Sequence, residues 1–344
     1  MRARSWWAVA LAGCLTKPAP APVNYMFVTS TTYVISSLGG QQGANTVCST
    51  VAHRAGLSGN FVAWLSTPTQ PAAAALAGSR GWQRTDDVPF VDTVDDLVAG
   101  KLMYPPAKDE MGADIPVDTV VATGTTGSGG DDAGNDCNGL QGSNEPIRVG
   151  LTGNGSPDWT YEDLMTIGCD SAAHLYCFGV GHQAELSLPV ASPLVFLSTN
   201  PFHAADHRAA ADTECESEAA SRGLPGTFMA MLGIDATPAI ARFGTVTTPW
   251  HRVDGVAATA DFTTFTAPID VDPDGNHVAS ALVYTGAANG VTNMGEYDCA
   301  SWTTSDSTDY AYVGDSSLGD SGAFAAPHMI TCEHDEPVYC AQMQ

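Results

Sequence analysis

The sequence predicts an α+β protein built twice over. Two observations carry this: a repeated cysteine spacing, and a repeated strand–helix–strand opening. Eight of the nine cysteines in the 344-residue chain form two sets of four. Cys48, Cys137, Cys169 and Cys177 are separated by 89, 32 and 8 residues, and Cys215, Cys299, Cys332 and Cys340 by 84, 33 and 8. Three gaps reproduced this closely mark two copies of one domain, each of ordinary domain size.

Residues 1–22 precede the copies. A basic start (Met1 to Ser5), a short apolar run (Trp6 to Ala12) and Leu11-Ala12-Gly13-Cys14 have the layout of a bacterial lipoprotein signal. Cleavage before Cys14 would leave a lipid on its sulfur; an ordinary secretory signal is the alternative. Lys17-Pro-Ala-Pro-Ala-Pro22 reads as a semi-extended spacer. Both readings export the chain, as an outer-membrane or cell-surface lipoprotein or a secreted protein, and paired cysteines persist in that compartment. No later run approaches the ~20 apolar residues of a membrane span, so membrane contact is expected only through lipid on Cys14.

Domain 1 is expected over 23–181 and domain 2 over 190–344, joined by a brief linker. Each opens with a strand, Tyr25 to Ser30 and Pro193 to Ser198. A helix follows, in which Ala44, Cys48 and Ala52 match Ala211, Cys215 and Ala219; spacing of four puts them on one inward face. Gly56 and Gly223 end the helices, as left-handed caps do. Next, Gly56-Leu-Ser-Gly-Asn-Phe-Val-Ala-Trp-Leu65 matches Gly223-Leu-Pro-Gly-Thr-Phe-Met-Ala-Met-Leu232, a helix stop, a turn and a buried strand. Trp82-Gln-Arg-Thr-Asp86 then parallels Trp250-His-Arg-Val-Asp254, and Thr123-Gly124 parallels Thr285-Gly286. Long polar loops are expected over Thr123 to Asp136 and Thr303 to Asp320.

Thirteen Lys and Arg against 38 Asp and Glu give a net charge of −25. The leader carries +3, the first copy −11 and the second −17. Nucleic acid and sulfated glycans need clustered cations to displace counterions, and no such cluster exists. At 44% hydrophobic residues each copy can build its own core, which disulfides then reinforce.

The helix with its cysteine, the G-L-x-G-x-F-x-A-x-L string, Tyr284-Thr-Gly286, Cys299-Ala-Ser-Trp302, Leu318-Gly-Asp-Ser321 and the closing Cys332 and Cys340 resemble endostatin, the C-terminal domain of certain collagens. The resemblance covers roughly 24–178 and 193–342, and similar domains occur in bacterial exported lipoproteins. It implies two tandem C-type-lectin-like domains. Four cysteines allow three connectivities; the resemblance implies the nested one, Cys48–Cys177 with Cys137–Cys169, and Cys215–Cys340 with Cys299–Cys332. Heparin binding does not carry over, because the family's arginine surface is missing. Nor do its N-terminal zinc-binding histidines.

Other motifs weigh less. Ala172-Ala-His174 and Gly319-Asp-Ser-Gly322 imitate chymotrypsin-type segments, but a triad would have to span two separately disulfide-bonded copies. Asp270-Val-Asp-Pro-Asp-Gly-Asn276 opens like a calcium loop, making Asp270, Asp272 and Asp274 the candidate metal ligands and calcium the only cofactor raised. Ala281 stands where the bidentate Glu belongs, and a polar turn is the plainer reading. Asn144-Glu-Pro-Ile147 and Trp159-Thr-Tyr161 depart from the sugar-binding lectin motifs. His203 and His207 would share a face on a helix, but copy 1 has no counterpart and no third ligand is evident. Trp64, Trp82, Trp159, Trp250 and Trp302 read as core. The expected function is a non-catalytic extracytoplasmic binding or adhesion module for a surface polymer or protein. Calcium-dependent carbohydrate binding, a structural envelope role and a hydrolase are the alternatives.

Overall fold

The computed structural model describes residues 22–344 apart from 143, 156, 235–236, 246, 288–296 and 326–327. Cys14, the leader and all of the spacer except Pro22 lie outside the described residues.

The chain is mixed α+β. Copy 1 opens with β1 (Asn24–Val28), β2 (Tyr33–Val34), α1 (Gly40–Arg54) and β3 (Asn60–Ala63). It continues through α2 (Ala72–Ala75), β4 (Trp82–Arg84), β5 (Pro89–Val91), α3 (Val94–Val98) and β6 (Val120–Ala122). The one-turn α4 (Cys137–Leu140), β7 (Pro146–Leu151), β8 (Thr166–Gly168) and β9 (Ala172–Val180) complete it. Copy 2 opens with β10 (Leu194–Leu197), β11 (Phe202–His203), α5 (His207–Ser221) and β12 (Phe228–Ala230). Then come β13 (Trp250–Arg252), β14 (Ala257–Thr259), β15 (Leu282–Tyr284), α6 (Cys299–Trp302) and β16 (Tyr310–Asp315). It ends with α7 (Gly322–Ala325), β17 (His328–Thr331), β18 (Asp335–Glu336) and β19 (Tyr339–Gln342).

The last strand is the spine of each copy. β9 runs antiparallel to β1, β2 and β3 and parallel to β6. β19 likewise lies between β10 and β12, and the parallel pair β1–β4 recurs as β10–β13. In copy 2 the spine is interrupted at Pro337, which has no N–H for the ladder. β18 therefore pairs with β11 by itself, while β15, β16 and β17 form a small sheet tied to the spine by the Tyr284–Val338 bridge.

Alternation along β9 builds two cores at once. Leu175 and Cys177 face a layer of α1 and both copy-1 disulfides. Tyr176 and Phe178 face Trp64, Trp82, Phe90 and Trp159. Trp159 packs 5.3 Å from Trp64 and 5.4 Å from Tyr176. The five tryptophans assigned to the core are each buried, and Trp82 and Trp250 donate Nε1–H to the carbonyls of Gly179 and Gln342, both at 2.8 Å.

The cysteine pairing is nested: Cys48–Cys177, Cys137–Cys169, Cys215–Cys340 and Cys299–Cys332. The outer pairs fasten the buried helix face to the spine. The Thr-Gly repeat also has a physical reason: Gly124 and Gly286 take φ of 58° and 63°, and a Cβ on Gly286 would lie 2.7 Å from the Trp302 ring.

One expectation is overturned. The segment from Thr303 to Asp320 is not a continuous loop, because Ala311 and Val313 alternate inward and make Tyr310–Asp315 a six-residue strand. Its Gly and Asp content hid that alternation. Nor are α4 and α6 ordinary turns. Cys137, Asn138, Gly139 and Leu140 all have positive φ, as do Cys299, Ala300, Ser301 and Trp302. Each is one turn of left-handed helix, capped by the carboxylate of Asp136 or Asp298. An L-residue pays roughly 1–2 kcal/mol for that conformation. In an ordinary helix Ala→Gly costs ~1 kcal/mol; here the sign should reverse. Ala300→Gly, at an exposed position, is expected to stabilise by up to ~1 kcal/mol in denaturant unfolding, and a lowered midpoint would refute the left-handed assignment.

Candidate functional site: the cleft between the two copies

The repeated W-x-R-x-D string builds the joint between the copies. In each, arginine at the end of a strand reaches the aspartate two residues on. Arg84 Nε and Nη2 lie 3.1 and 2.7 Å from the Asp86 carboxylate, and Nη1 donates to the Pro105 carbonyl at 3.1 Å. Arg252 repeats this with Asp254 and the Pro268 carbonyl. Arg252 is wholly buried, and it adds two contacts. Nη1 meets Asp270 at 2.6 Å, and Nη2 donates to the Leu102 carbonyl of copy 1 at 3.0 Å. Burial alone would lower its pKa, but Asp270 and Asp254 hold it above the ordinary arginine value. Burial likewise works to raise Asp254, and Arg252 nevertheless keeps that carboxylate below its usual range.

Further bonds cross the seam. Ala257 N–H donates to the Tyr104 hydroxyl at 3.0 Å, and Gly155 N–H to the Ser317 carbonyl at 2.7 Å. Glycine is required where the backbones meet, since a Cβ on Gly319 would lie 2.6 Å from the Gly153 carbonyl oxygen.

Beside this seam lies a cleft of about 620 Å³ lined by both copies. Copy 1 supplies Tyr104, Pro105, Ile115, Pro116 and Val117 together with Arg84 and Lys108; copy 2 supplies Ala257, Phe265, Thr266 and Gly319. The walls are thus mainly apolar, with an ammonium set among them. Lys108 Nζ lies 2.5 Å from Asp114 and 3.8 Å from Asp86. Asp114 is 86% exposed, so an incoming polar group can replace it at little cost. Pockets at domain junctions with apolar walls and a few polar groups are where small ligands and side chains seat.

At the same seam carboxylates converge. Asp158 is pushed up to about 7, first by burial, then by the charges of Glu162, Asp315 of copy 2, and Asp118.

Of the sequence-derived candidates, Asp270 enters the joint as a partner of Arg252 and Gly319 lines the cleft, and the others lie apart from it. Asp270, Asp272 and Asp274 do not converge on one point. Asp270 pairs with Arg252 and His277. Asp272 Oδ1 accepts the N–H groups of Asp274 and Asn276, both at 2.8 Å. Asp274 pairs with Arg222. Asp109 makes the same turn in copy 1, accepting from Met111 and Ala113, so the calcium-like string contains a hairpin turn capped by Asp272. Among the described residues no group of three or more His, Cys, Asp and Glu side chains is placed to hold a metal ion. His203 sits on β11 rather than on the helix and bonds Asp335, while α5 begins at His207. His174 bonds the Thr29 carbonyl, and Ser321 lies at the start of α7 in the other copy. Ile147 and Trp159, from the lectin-like strings, are buried. The eight paired cysteines place the chain in an oxidising, exported setting. Among the described residues no helix is long and apolar enough to cross a membrane.

Sequence reasoning missed Tyr104, Lys108 and Phe265. The only available signal was the W-x-R-x-D repeat, whose arginines prepare the joint. No protein-family model matches the chain, and no curated protein matches it.

Two outcomes are expected. Arg252→Met strands Asp254 and Asp270 without their cation and should cost about 3–5 kcal/mol in chemical denaturation. Asp158, raised above its unfolded value, favours folding fully only below the ordinary carboxylate pKa of 3.8, and that favour is lost as pH rises through about 7. Asp158→Asn should therefore stabilise the chain at pH 8 by on the order of 3 kcal/mol, allowing for partial exposure, and far less at pH 4. Melting curves of both proteins across that range check the sign.

Proposed function

We propose that this chain is an exported, non-catalytic binding module made of two tandem endostatin-like domains with C-type-lectin-like folds, held at the cell surface by lipid on Cys14. It recognises a surface polymer or protein, and the cleft between the copies seats part of that ligand. The observation that carries the reading is that one cleft draws its walls from both copies, with rings and prolines around a single lysine. The nested disulfides, the repeated topology and the turn at Cys299–Trp302 support the family reading. The separate engagements of His174 and Ser321 speak for binding rather than hydrolysis, and those of the three aspartates for recognition without calcium.

The test is binding of the disulfide-bonded chain to immobilised polysaccharides, cell-wall polymers and matrix proteins, in calcium and in EDTA. Binding should survive EDTA. Val117→Trp, at a residue 42% exposed on the cleft wall, should fill the space and weaken binding ~10-fold or more without lowering stability. Binding lost in EDTA and in Asp272→Ala would restore the calcium-dependent lectin reading. Binding indifferent to Val117→Trp would remove the cleft from the interaction.

A further inference from the structure

The small sheet of copy 2 carries exposed rings on an outer face that copy 1 fills differently. Along β16, Tyr310 and Tyr312 fall on one side and the buried Ala311 and Val313 on the other. Across the ladder, Tyr312 stands opposite Met329 and Tyr310 opposite Thr331. Tyr310 is 42% exposed and Met329 44%. The Tyr297 ring packs edge-on against Tyr312 at 5.2 Å. Thr331 Oγ1 donates to Glu333 at 3.2 Å, and Asp306 and Asp309 precede Tyr310 in the sequence. Backbone and hydroxyl bonds from Thr308 hold Asp306 below the ordinary carboxylate range. His328 and His334 are the basic side chains of β17 and the turn after it. From Val253 to Gln344 the sequence contains no lysine or arginine at all.

Copy 1 shows the arrangement with its cation in place. Val149 pairs with Ala122 as Val313 pairs with Tyr284, so Arg148 occupies the position of Tyr312, and Pro146 that of Tyr310. Arg148 Nε lies 2.7 Å from Asp132, its Nη1 donates to the Glu162 and Asp163 carbonyls, and its guanidinium sits 4.5 Å from the Tyr161 ring centroid. A cation between carboxylate and tyrosine is thus built into this face of copy 1. Copy 2 instead puts Tyr312 and Tyr310 at the Arg148 and Pro146 positions, with Glu333 just beyond β17, and has no lysine or arginine after Arg252.

We propose that the outer face of β16 and β17 docks a lysine- or arginine-bearing segment of a partner protein. A cation of that segment lies over Tyr310 beside Glu333 and Asp306, and a neighbouring apolar side chain packs on Met329. Charge complementarity selects this occupant: the face belongs to the copy carrying −17, which repels polyanions. The docking surface shares no residue with the cleft and does not depend on the cleft being occupied.

The probe is a capped hexapeptide of alternating arginine and leucine, titrated calorimetrically into the full disulfide-bonded chain at low and raised salt. Tyr310→Ala/Met329→Ala leaves net charge unchanged and should weaken binding ~10-fold. Glu333→Gln should weaken it ~3-fold, whereas Asp95→Asn, the same charge change at an exposed position of copy 1, should not alter it. Thr331→Arg, which places a cation on the face from within, should weaken binding ~10-fold and serves if the double variant fails to fold. Equal losses for Glu333→Gln and Asp95→Asn, with none for the tyrosine–methionine variant, would reduce the effect to diffuse charge attraction and overturn the proposal. Tighter binding of a neutral glucan hexasaccharide than of the peptide would overturn it in favour of a sugar platform.

Discussion

A single buried guanidinium joins the two halves of this protein. Arg252 has no exposure, two carboxylate partners and a carbonyl from the other copy. A charge so enclosed persists only when its partners are fixed, and fixing them constrains the backbone on both sides. Asp270 and Asp254 belong to neighbouring segments of copy 2, Leu102 to the loop that carries Tyr104. The cleft inherits its shape from that arrangement. Its copy-1 counterpart, Arg84, makes the same bidentate pair but faces the cleft and lies 5.8 Å from the Tyr104 ring. One motif therefore performs two tasks, an anchor in the second copy and part of a wall in the first.

The repeats have diverged where strain or pairing allowed it. The left-handed turn before the inner disulfide contains Gly139 in copy 1 and Ser301 at the equivalent place in copy 2, and the cysteine, its aspartate cap and the turn geometry are retained. Pro337 divides in two a strand that is continuous in copy 1. Arg148, cradled inside copy 1, gives way to Tyr312, and the sheet face around it changes from a satisfied ion pair to an aromatic surface rimmed with acid. Shared topology positions these differences at equivalent points, so each copy serves as the reference for the other.

Much of the framework was legible because it depends on local pattern. Cysteine spacing reported the duplication, the four-residue spacing of Ala44, Cys48 and Ala52 reported a buried helix face, and the glycine strings reported the turns. The joint was not legible. Arg252 and Leu102 are 150 positions apart, and nothing local marks an arginine as buried or names a carbonyl as its partner. Tyr104, Lys108 and Phe265 meet only where the two copies come together. Asp270, Asp272 and Asp274 were ambiguous for the opposite reason. Alternating carboxylates suit both a calcium loop and a capped hairpin, and only the placement of the N–H groups of Asp274 and Asn276 reveals the capped turn.

The central strand of each copy is also the last of its strands. β9 and β19 follow every strand they pair with, and each outer disulfide joins a cysteine on the first long helix of its copy to one on that strand. As the chain emerges through a membrane, its strands have no middle to pair with until the copy is complete. The long-range contacts that define the sheet form late and together, the topology of a slow folder. Copy 1 can close while copy 2 is still being delivered. Copy 2, and the joint around Arg252 with it, must wait for Tyr339–Gln342 to arrive.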